Sequence, residues 1–385
     1  MKKILLFGPI SDYGGREIEC GFIAWVLSSK YEVSICTTGT ITKKSQLFNF
    51  NKNQKAFSIK ELLFNRFLLL RVTAFLCYLK NGCKGKVSNY VKNTSAKKFL
   101  AYDRKEGMIL QELISDYDAV FIIAQLSSGL ISDIIKLGKK QNKKILFRTT
   151  GTITFSDYDF IDSVDYFIHH SYNNASQIKK NEKFVVIDQC ANNELDILNI
   201  PISQRKICNF LILSRLSHEK GVKEIIDFFL RVSSEKDILF IAGNGALEAY
   251  LKARYESSSN VKFLGFVGGP KLSDLFESID CLIIPSPEES GPLVGIESMC
   301  AGKIVISTKV GAMQERLQET SNDYWFDYNN FESFEKVFFK VKDLNEEQVR
   351  TISTELRGKY KKEYSIDTIS NEYLKIVEKT LRICE

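Results

Sequence analysis

CLIIPSPEESGPLVGIESMCAGKIVIST, Cys281 to Thr308, reads as strand, loop, helix and strand in direct succession. CLII and KIVIS are short apolar, β-branched runs of the kind that form buried strands. Between them Pro292 suits the first helical position, where no N–H is needed, and Gly302 suits the end of a helix running to about Cys300. Two strands joined by a helix form a parallel pair with a crossover. The segment also places two acids around one helix start, Glu289 in the loop and Glu297 more than a turn inside. The first-turn amides of Leu293 and Val294 are free at the positive end of the helix dipole, which makes an anion site. An acid inside such a helix is suited to accept hydrogen bonds from a ribose diol, and Glu289 is placed to meet sugar hydroxyls. The same spacing also fits two solvated acids on a capped surface helix, and the local sequence leaves both readings open.

The strand–helix alternation extends outward from this segment. Upstream lie NFLILS (209–214), a helix from Val222 to Val232, DILFIAG (237–243), a helix from Ala246 to about Arg254, VKFLGFV (261–267) and a helix over 271–279. A first series precedes it: strands at 2–8, 31–38, 119–124, 143–149 and 165–171, with a helix over 16–29 after the first. The polar stretch NNELDILNIPISQRK (192–206) is the expected linker. The expected architecture is α/β, with two Rossmann-like, doubly wound parallel-sheet domains facing across a ligand cleft. The expected boundaries are 1–200, 201–365 and a C-terminal stretch 366–385 whose helix crosses back to the first domain.

With 385 residues, 44% of them hydrophobic, the chain can fill two cores, and no apolar run approaches the ~18 residues of a membrane span. The N-terminus MKKILLFGP is too short for a signal peptide. Nine cysteines without a CxxC pair point to reduced thiols and a cytoplasmic location, and three histidines without HExxH argue against a zinc hydrolase. The net charge of +6 conceals a block: residues 43–105 carry fifteen Lys or Arg against two acids, Glu61 and Asp103. Interleaved apolar residues (Phe64, Phe67, Leu68, Leu70, Phe75, Tyr78) suit an amphipathic helix at an anionic membrane better than a nucleic-acid groove, although a solvated basic face has the same composition.

Three loops add candidate chemistry. SRLSHEKG (214–221) follows a buried strand, and its Arg215 and Lys220 can meet one diphosphate, the first as a fork and the second as a point charge; two merely exposed cations are the alternative. In GPISDYGGREIE (8–19), Gly14 and Gly15 permit either close phosphate approach or a plain tight turn. GNGALE (243–248) lacks the third glycine and the later acid of a dinucleotide fingerprint, which excludes a typical NAD oxidoreductase. SDYD at 115–118 and 156–159 reads as two turns rather than a metal-holding acid pair.

Taken in order, Gly14-Gly15, LSRLSHEKG, IAGNG, VKFLGFV, the segment 281–308 and GAMQE (311–315) resemble glycosyltransferase family 4, the retaining, nucleotide-sugar-dependent transferases of GT-B fold. The resemblance covers about Asn209 to Glu315 well and, in the first half, only the first forty residues. It implies that Arg215 and Lys220 hold the donor diphosphate and Glu297 binds the ribose. It implies that Glu289, with the backbone from Gly291 through Pro292 and Leu293 to Val294, positions the sugar. Gly14 and Gly15 then approach the phosphates, and Phe266 and Val267 lie near the base. On this resemblance Glu289, Arg215 and Lys220 are the catalytic set, no metal or other cofactor is expected, and the leaving phosphate takes the acceptor proton in a front-face substitution. The chain departs from the family at LFRTTGT, where Arg148 stands in place of a usual histidine and is either a candidate for binding a phosphate or an acceptor carboxylate or a plain strand-end residue, and at Pro292 in place of a glycine.

The expected function is a retaining glycosyltransferase building a lipid-linked or surface-polysaccharide intermediate of O-antigen or capsule type. It would lie peripherally at the inner face of the cell membrane through residues 43–105, with no nucleic-acid partner. The alternatives are a GT-B epimerase or phosphorylase, disfavoured by the few histidines, and an inactive partner subunit, disfavoured by intact Arg215, Lys220, Glu289 and Glu297.

Overall fold

The computed structural model describes residues 1–178, 183–269 and 271–382. They form two compact units. One comprises 1–169, 175–187 and 370 onward; the other comprises 170–174 and 188–369.

The first unit is built on a seven-stranded, wholly parallel sheet: β1 (Lys3–Gly8), β2 (Glu32–Thr37), β3 (Ala56–Ser58), β4 (Ala119–Ala124), β5 (Lys144–Thr149), β6 (Tyr166–His169) and β7 (Phe184–Val186). The order is β3-β2-β1-β4-β5-β6-β7. Ile4 pairs with Val33 on one side and Ala119 on the other, so the order reverses at β1 and β4. These central strands have no solvated face: all six residues of β4 are buried, which accounts for their unbroken apolar sequence. β3 and β7 extend the sheet beyond the five strands expected. Each is only three residues long and lies at an edge, too short to leave a periodic signal.

The second unit carries a five-stranded parallel sheet of β8 (Asn209–Leu213), β9 (Ile238–Ala242), β10 (Val261–Gly265), β11 (Cys281–Ile284) and β12 (Ile304–Ser307), in the order β10-β9-β8-β11-β12. Here the order reverses between β8 and β11, which pair at Phe210–Cys281 and Leu211–Leu282. The loops leaving these two strands therefore flank the point where open α/β sheets bind ligands.

The stretch expected to be a linker is part of this second core. Ala191, Ile197 and Ile200 are buried in it, and Glu194 accepts from Tyr360 Oη at 2.7 Å and Ile366 N at 2.9 Å. The division falls after Ile187 rather than near residue 200, because apolar residues within 192–206 have a core to join. The last helix, Ile366–Arg382, contributes to the first unit from Ser370 onward, and its Tyr373 packs against Phe22 and Phe121.

Candidate functional site

In the second unit, β8 ends at Leu213 and the chain makes a 3-10 turn, His218–Lys220, before the helix Val222–Val232. Gly221 joins turn to helix with φ 64°, and a Cβ there would sit 2.7 Å from the carbonyl oxygen of Pro285. Only glycine lets the loop after β8 close against the loop after β11 this way. The closure brings Lys220 to Glu289: their side chains form an ion pair, and Ser286 Oγ donates to the same carboxylate at 3.2 Å. Lys220 and Glu289 are 13% and 22% exposed, so the pair is partly withdrawn from solvent. Arg215 shares the loop but not the pair. Its side chain is 70% exposed and, among the described residues, meets only Glu219, at 3.8 Å.

The helix expected after Pro292 is Leu293–Ala301, with Pro292 as the residue before its first turn rather than within it. Gly302 closes it in the left-handed conformation at φ 64°. No side chain caps the start, so the amides of Leu293 and Val294 have no intrahelical acceptor; Gly295 N bonds to Pro292 O at 3.0 Å. Glu297, one turn further in, is 6% exposed and has no hydrogen bond or ion pair among the described residues. Burial alone raises its pKa from 4.5 to about 7. Ser290, 5% exposed, has a hydroxyl with no partner among the described residues. A site that holds a buried carboxyl and a buried hydroxyl without protein partners is suited to a ligand with donors of its own.

The loop from Glu289 to Pro292 is fixed from behind by residues the sequence reading did not single out. Arg316, fully buried, forks Asp188 with two bonds of 2.7 Å and donates from Nη1 to the carbonyl of Pro292 at 2.6 Å. Burial would raise the Asp188 pKa, but the Arg316 charge and hydrogen bonds, with those of His170, hold it well below the usual range. His170 Nδ1 lies 3.6 Å from Asp188. A Cβ on Gly291 would lie 2.9 Å from Arg316 Nη2 and 3.2 Å from the His170 ring, so this loop and the cluster are in contact. The fold thus brings His170, one of the three histidines, to this cluster. Ala312 N donates to Ser290 O at 2.9 Å, and Gly311, at φ 52°, has no room for a Cβ beside that carbonyl. GAMQE thus shapes the loop, and Glu315 accepts from Tyr172 N and Asn173 N at 2.9 Å each. The glycines of GNG have the same kind of role: a Cβ on Gly243 or Gly245 would meet the carbonyl of Ser214 or Leu216. Val267 is half-buried against the second core, just beyond the end of β10, beside an exposed Phe266.

In the first unit, Gly14 precedes the helix Gly15–Leu27 at φ 144°, and its N–H is occupied by Gln46 Oε1 at 2.8 Å. Gly15 has nothing within 4 Å of a would-be Cβ. Arg148 is fully buried. It binds Glu19 through Nε and Nη2 at 2.7 and 2.6 Å and donates to Ile187 O at 2.5 Å. The carboxylate expected from an acceptor is supplied within the chain by Glu19, so Arg148 is a scaffold residue of this unit. Of the two SDYD stretches, Asp118 accepts from Lys3 N at 2.6 Å and Asp159 pairs with Lys136 at 2.5 Å. Among the described residues no three His, Cys, Asp or Glu side chains converge as metal ligands. The eight described cysteines are free thiols. A cavity of about 960 Å³ in this unit, lined by residues such as Lys92, Glu106, Asp133 and Lys140, shares nothing with the expected site residues.

Residues 203–355 match the family model of glycosyl transferases group 1, which places this segment in the glycosyltransferase superfamily. An uncharacterized glycosyltransferase of Methanocaldococcus jannaschii is 33% identical over 119 residues, 30% of this chain and 30% of that protein. The N,N'-diacetylbacillosaminyl-diphospho-undecaprenol alpha-1,3-N-acetylgalactosaminyltransferase of Campylobacter jejuni is 20% identical over 200 residues, 52% of this chain and 51% of that one. These matches span about a third to a half of the relatives' lengths. Among solved structures, Anabaena HepE with UDP and glucose superimposes with a TM-score of 0.72, covering 98% of this chain and all of that one at 14% identity. The chain has the α/β GT-B fold, with two Rossmann-like parallel-sheet units.

Proposed function

We propose that this protein is a retaining glycosyltransferase that moves a sugar, a hexose or a close relative, from a nucleoside-diphosphate sugar to a lipid-linked or surface-polysaccharide intermediate. The observation that carries this reading is Glu297, a buried carboxyl without a partner among the described residues, one turn inside an uncapped helix start in the segment matched to group 1 transferases. In this reading its carboxylate accepts hydrogen bonds from the ribose hydroxyls of the nucleotide. The open amides of Leu293 and Val294 meet the diphosphate. Lys220 and the exposed Arg215 neutralise the charge that grows on the leaving phosphate, the work a metal does in other transferases. Glu289, oriented by Lys220 and Ser286, accepts from the donor sugar's hydroxyls. The bond between the anomeric carbon and the phosphate oxygen breaks as the acceptor oxygen bonds to the same face. The acceptor proton passes to the departing phosphate oxygen, giving a nucleoside diphosphate and a glycoside.

The name of the Campylobacter relative specifies a diphospho-undecaprenol-linked acceptor, and that is the class of acceptor we assign here. Such a substrate resides in a bilayer, and the basic stretch 43–105 is its natural contact at the cytoplasmic face. Incubation with a panel of nucleotide sugars, reading release of nucleoside diphosphate, tests the assignment. One donor is expected to be turned over, with Glu289→Ala reducing turnover strongly. Full turnover by that variant would refute the role of Glu289, and no release from any donor would refute the function.

A further inference from the structure

The helix Leu68–Lys80 of the first unit presents a continuous apolar face to solvent. Leu68, Leu69, Val72, Phe75, Leu76 and Leu79 are each between 49% and 68% exposed. At the angular step of an α-helix these six fall within an arc of roughly 120°. Arg71 and Lys80 occupy its two edges, while Leu70 and Ala74, on the far side, are fully buried. The side chains that anchor the helix to its unit are thus distinct from those it displays. Arg71 is held in place: it donates to Asn65 O at 3.0 Å and Phe64 O at 3.3 Å and lies over the Phe64 ring at 5.4 Å. The preceding helix, Ile59–Arg66, meets it at 114°, so the pair is not a straight span, and no single helix among the described residues is long and apolar enough to cross a membrane. A contiguous patch of this size marks a contact surface, unlike singly scattered apolar residues.

Charge decides which contact. No Asp or Glu occurs between Glu61 and Asp103, and Lys80, Lys84 and Lys86 follow the apolar run. Lys86 is paired with Glu61 at 2.9 Å, but Arg71, Lys80 and Lys84 have no acidic partner among the described residues, so a second copy docked here would set like charge on like. Anionic lipid complements both parts: acyl chains for the centre and phosphates for the rim. We propose that this face inserts into the interfacial layer of an anionic bilayer, with Arg71 and Lys80 at headgroup level, so that apolar insertion rather than the basic stretch alone holds the protein at the membrane. The proposal deepens the membrane reading given above and rests on it.

Flotation with vesicles of phosphatidylglycerol and phosphatidylethanolamine, without donor or acceptor, tests it. The protein is expected to float, and roughly 0.5 M salt is expected to reduce flotation without abolishing it, because salt screens only the ionic part. Leu76→Glu, or Phe75→Ser with Leu79→Ser, is expected to lower partitioning at least ~10-fold, as for withdrawing one or two large apolar side chains. Lys80→Gln with Lys84→Gln should remove only the salt-sensitive part. In a folded Phe75→Trp protein, the fluorescence of the introduced indole should be quenched by brominated acyl chains. Wild-type flotation by the Leu76→Glu protein, an unquenched signal from the Phe75→Trp protein, or a lipid-free dimer that Leu76→Glu dissociates would each overturn the proposal. Sugar transfer is not read in this assay, so failed flotation counts against the inserted helix and not against the transferase reading, which the donor panel decides.

Discussion

Replacing Glu297 by glutamine is expected to stabilise the protein at alkaline pH and to weaken its hold on a nucleotide. The native carboxyl titrates near pH 7 because burial disfavours its charge, whereas the unfolded chain titrates near 4.5. Between those values the native state keeps a proton that the unfolded state has released. Stability therefore falls as pH rises through this window, by about 3 kcal/mol once the group is ionised in both states. Glutamine cannot ionise, so the stability difference between variant and wild type should move by about that amount in the variant's favour from pH 4.5 to pH 8. Any fixed cost of burying the amide cancels in this comparison. Urea denaturation of both proteins across the pH range measures it. For binding, if the carboxylate holds the ribose, the variant loses charge-assisted bonds worth about 1.5–3 kcal/mol, or roughly 10- to 100-fold by calorimetry in affinity for the nucleoside diphosphate that the donor panel identifies. A stability difference that is flat with pH would show that the carboxyl already has a partner or solvent. Unchanged affinity for that nucleotide would refute its place at the ribose.

If Glu297 binds the nucleotide as a carboxylate, nucleoside diphosphate binding at about pH 6.5, below its native titration, should release protons. The release is seen as a dependence of binding enthalpy on buffer ionisation and should be absent from Glu297→Gln. Arg316→Met should cost about 3–5 kcal/mol in chemical denaturation, because it leaves Asp188 charged and buried; adding Asp188→Leu should recover part of the loss, since the pair is then removed whole. Gly291→Ala should destabilise by about 1–3 kcal/mol in the same assay and raise the donor KM, since its Cβ would press on Arg316 and the His170 ring. Lys303, lowered by burial to about 8, still binds a proton when unfolded up to its ordinary value of 10.5; stability should rise between pH 8 and 10, and Lys303→Met should abolish that rise while leaving nucleotide affinity unchanged.

What was legible in the sequence was what is local. The strand, turn and helix around Lys220 are contiguous, and the helix Val222–Val232 has the bounds its periodicity predicts. The same holds for the helix after Pro292, to within a residue. The pairing of Lys220 with Glu289, 69 residues away, depends on β8 lying beside β11, and sheet order is not written in either segment. Asp188 and Arg316 are 128 residues apart, and neither belongs to a periodic or glycine-marked run. The motif GAMQE stops one residue short of Arg316, so the signal was adjacent but silent about the partner. Arg148 was read from a family departure, and its counter-ion Glu19, 129 residues away, was out of reach of that argument. The apolar residues at 68–79 were visible in the sequence, but which of them face solvent depends on the packing beneath Leu70 and Ala74.

Perturbed ionisation does not by itself locate the site, and the fold explains why. Lys303 is as buried as Glu297 and also shifted toward neutrality, yet it precedes β12, at the amino end of that strand. Glu297 and the unpartnered Ser290 follow β11, on the segment leaving the carboxyl end of a switch-point strand. Arg148 and Arg316, the largest fully buried side chains, are both neutralised by carboxylates. Glu297, by contrast, has no partner among the described residues. Arg316 shows how the two classes meet: one edge of its guanidinium is satisfied by Asp188, and the other reaches the carbonyl of Pro292, at the threshold of the open helix. A satisfied charge cluster thus holds the loop that leads into the uncapped helix in shape.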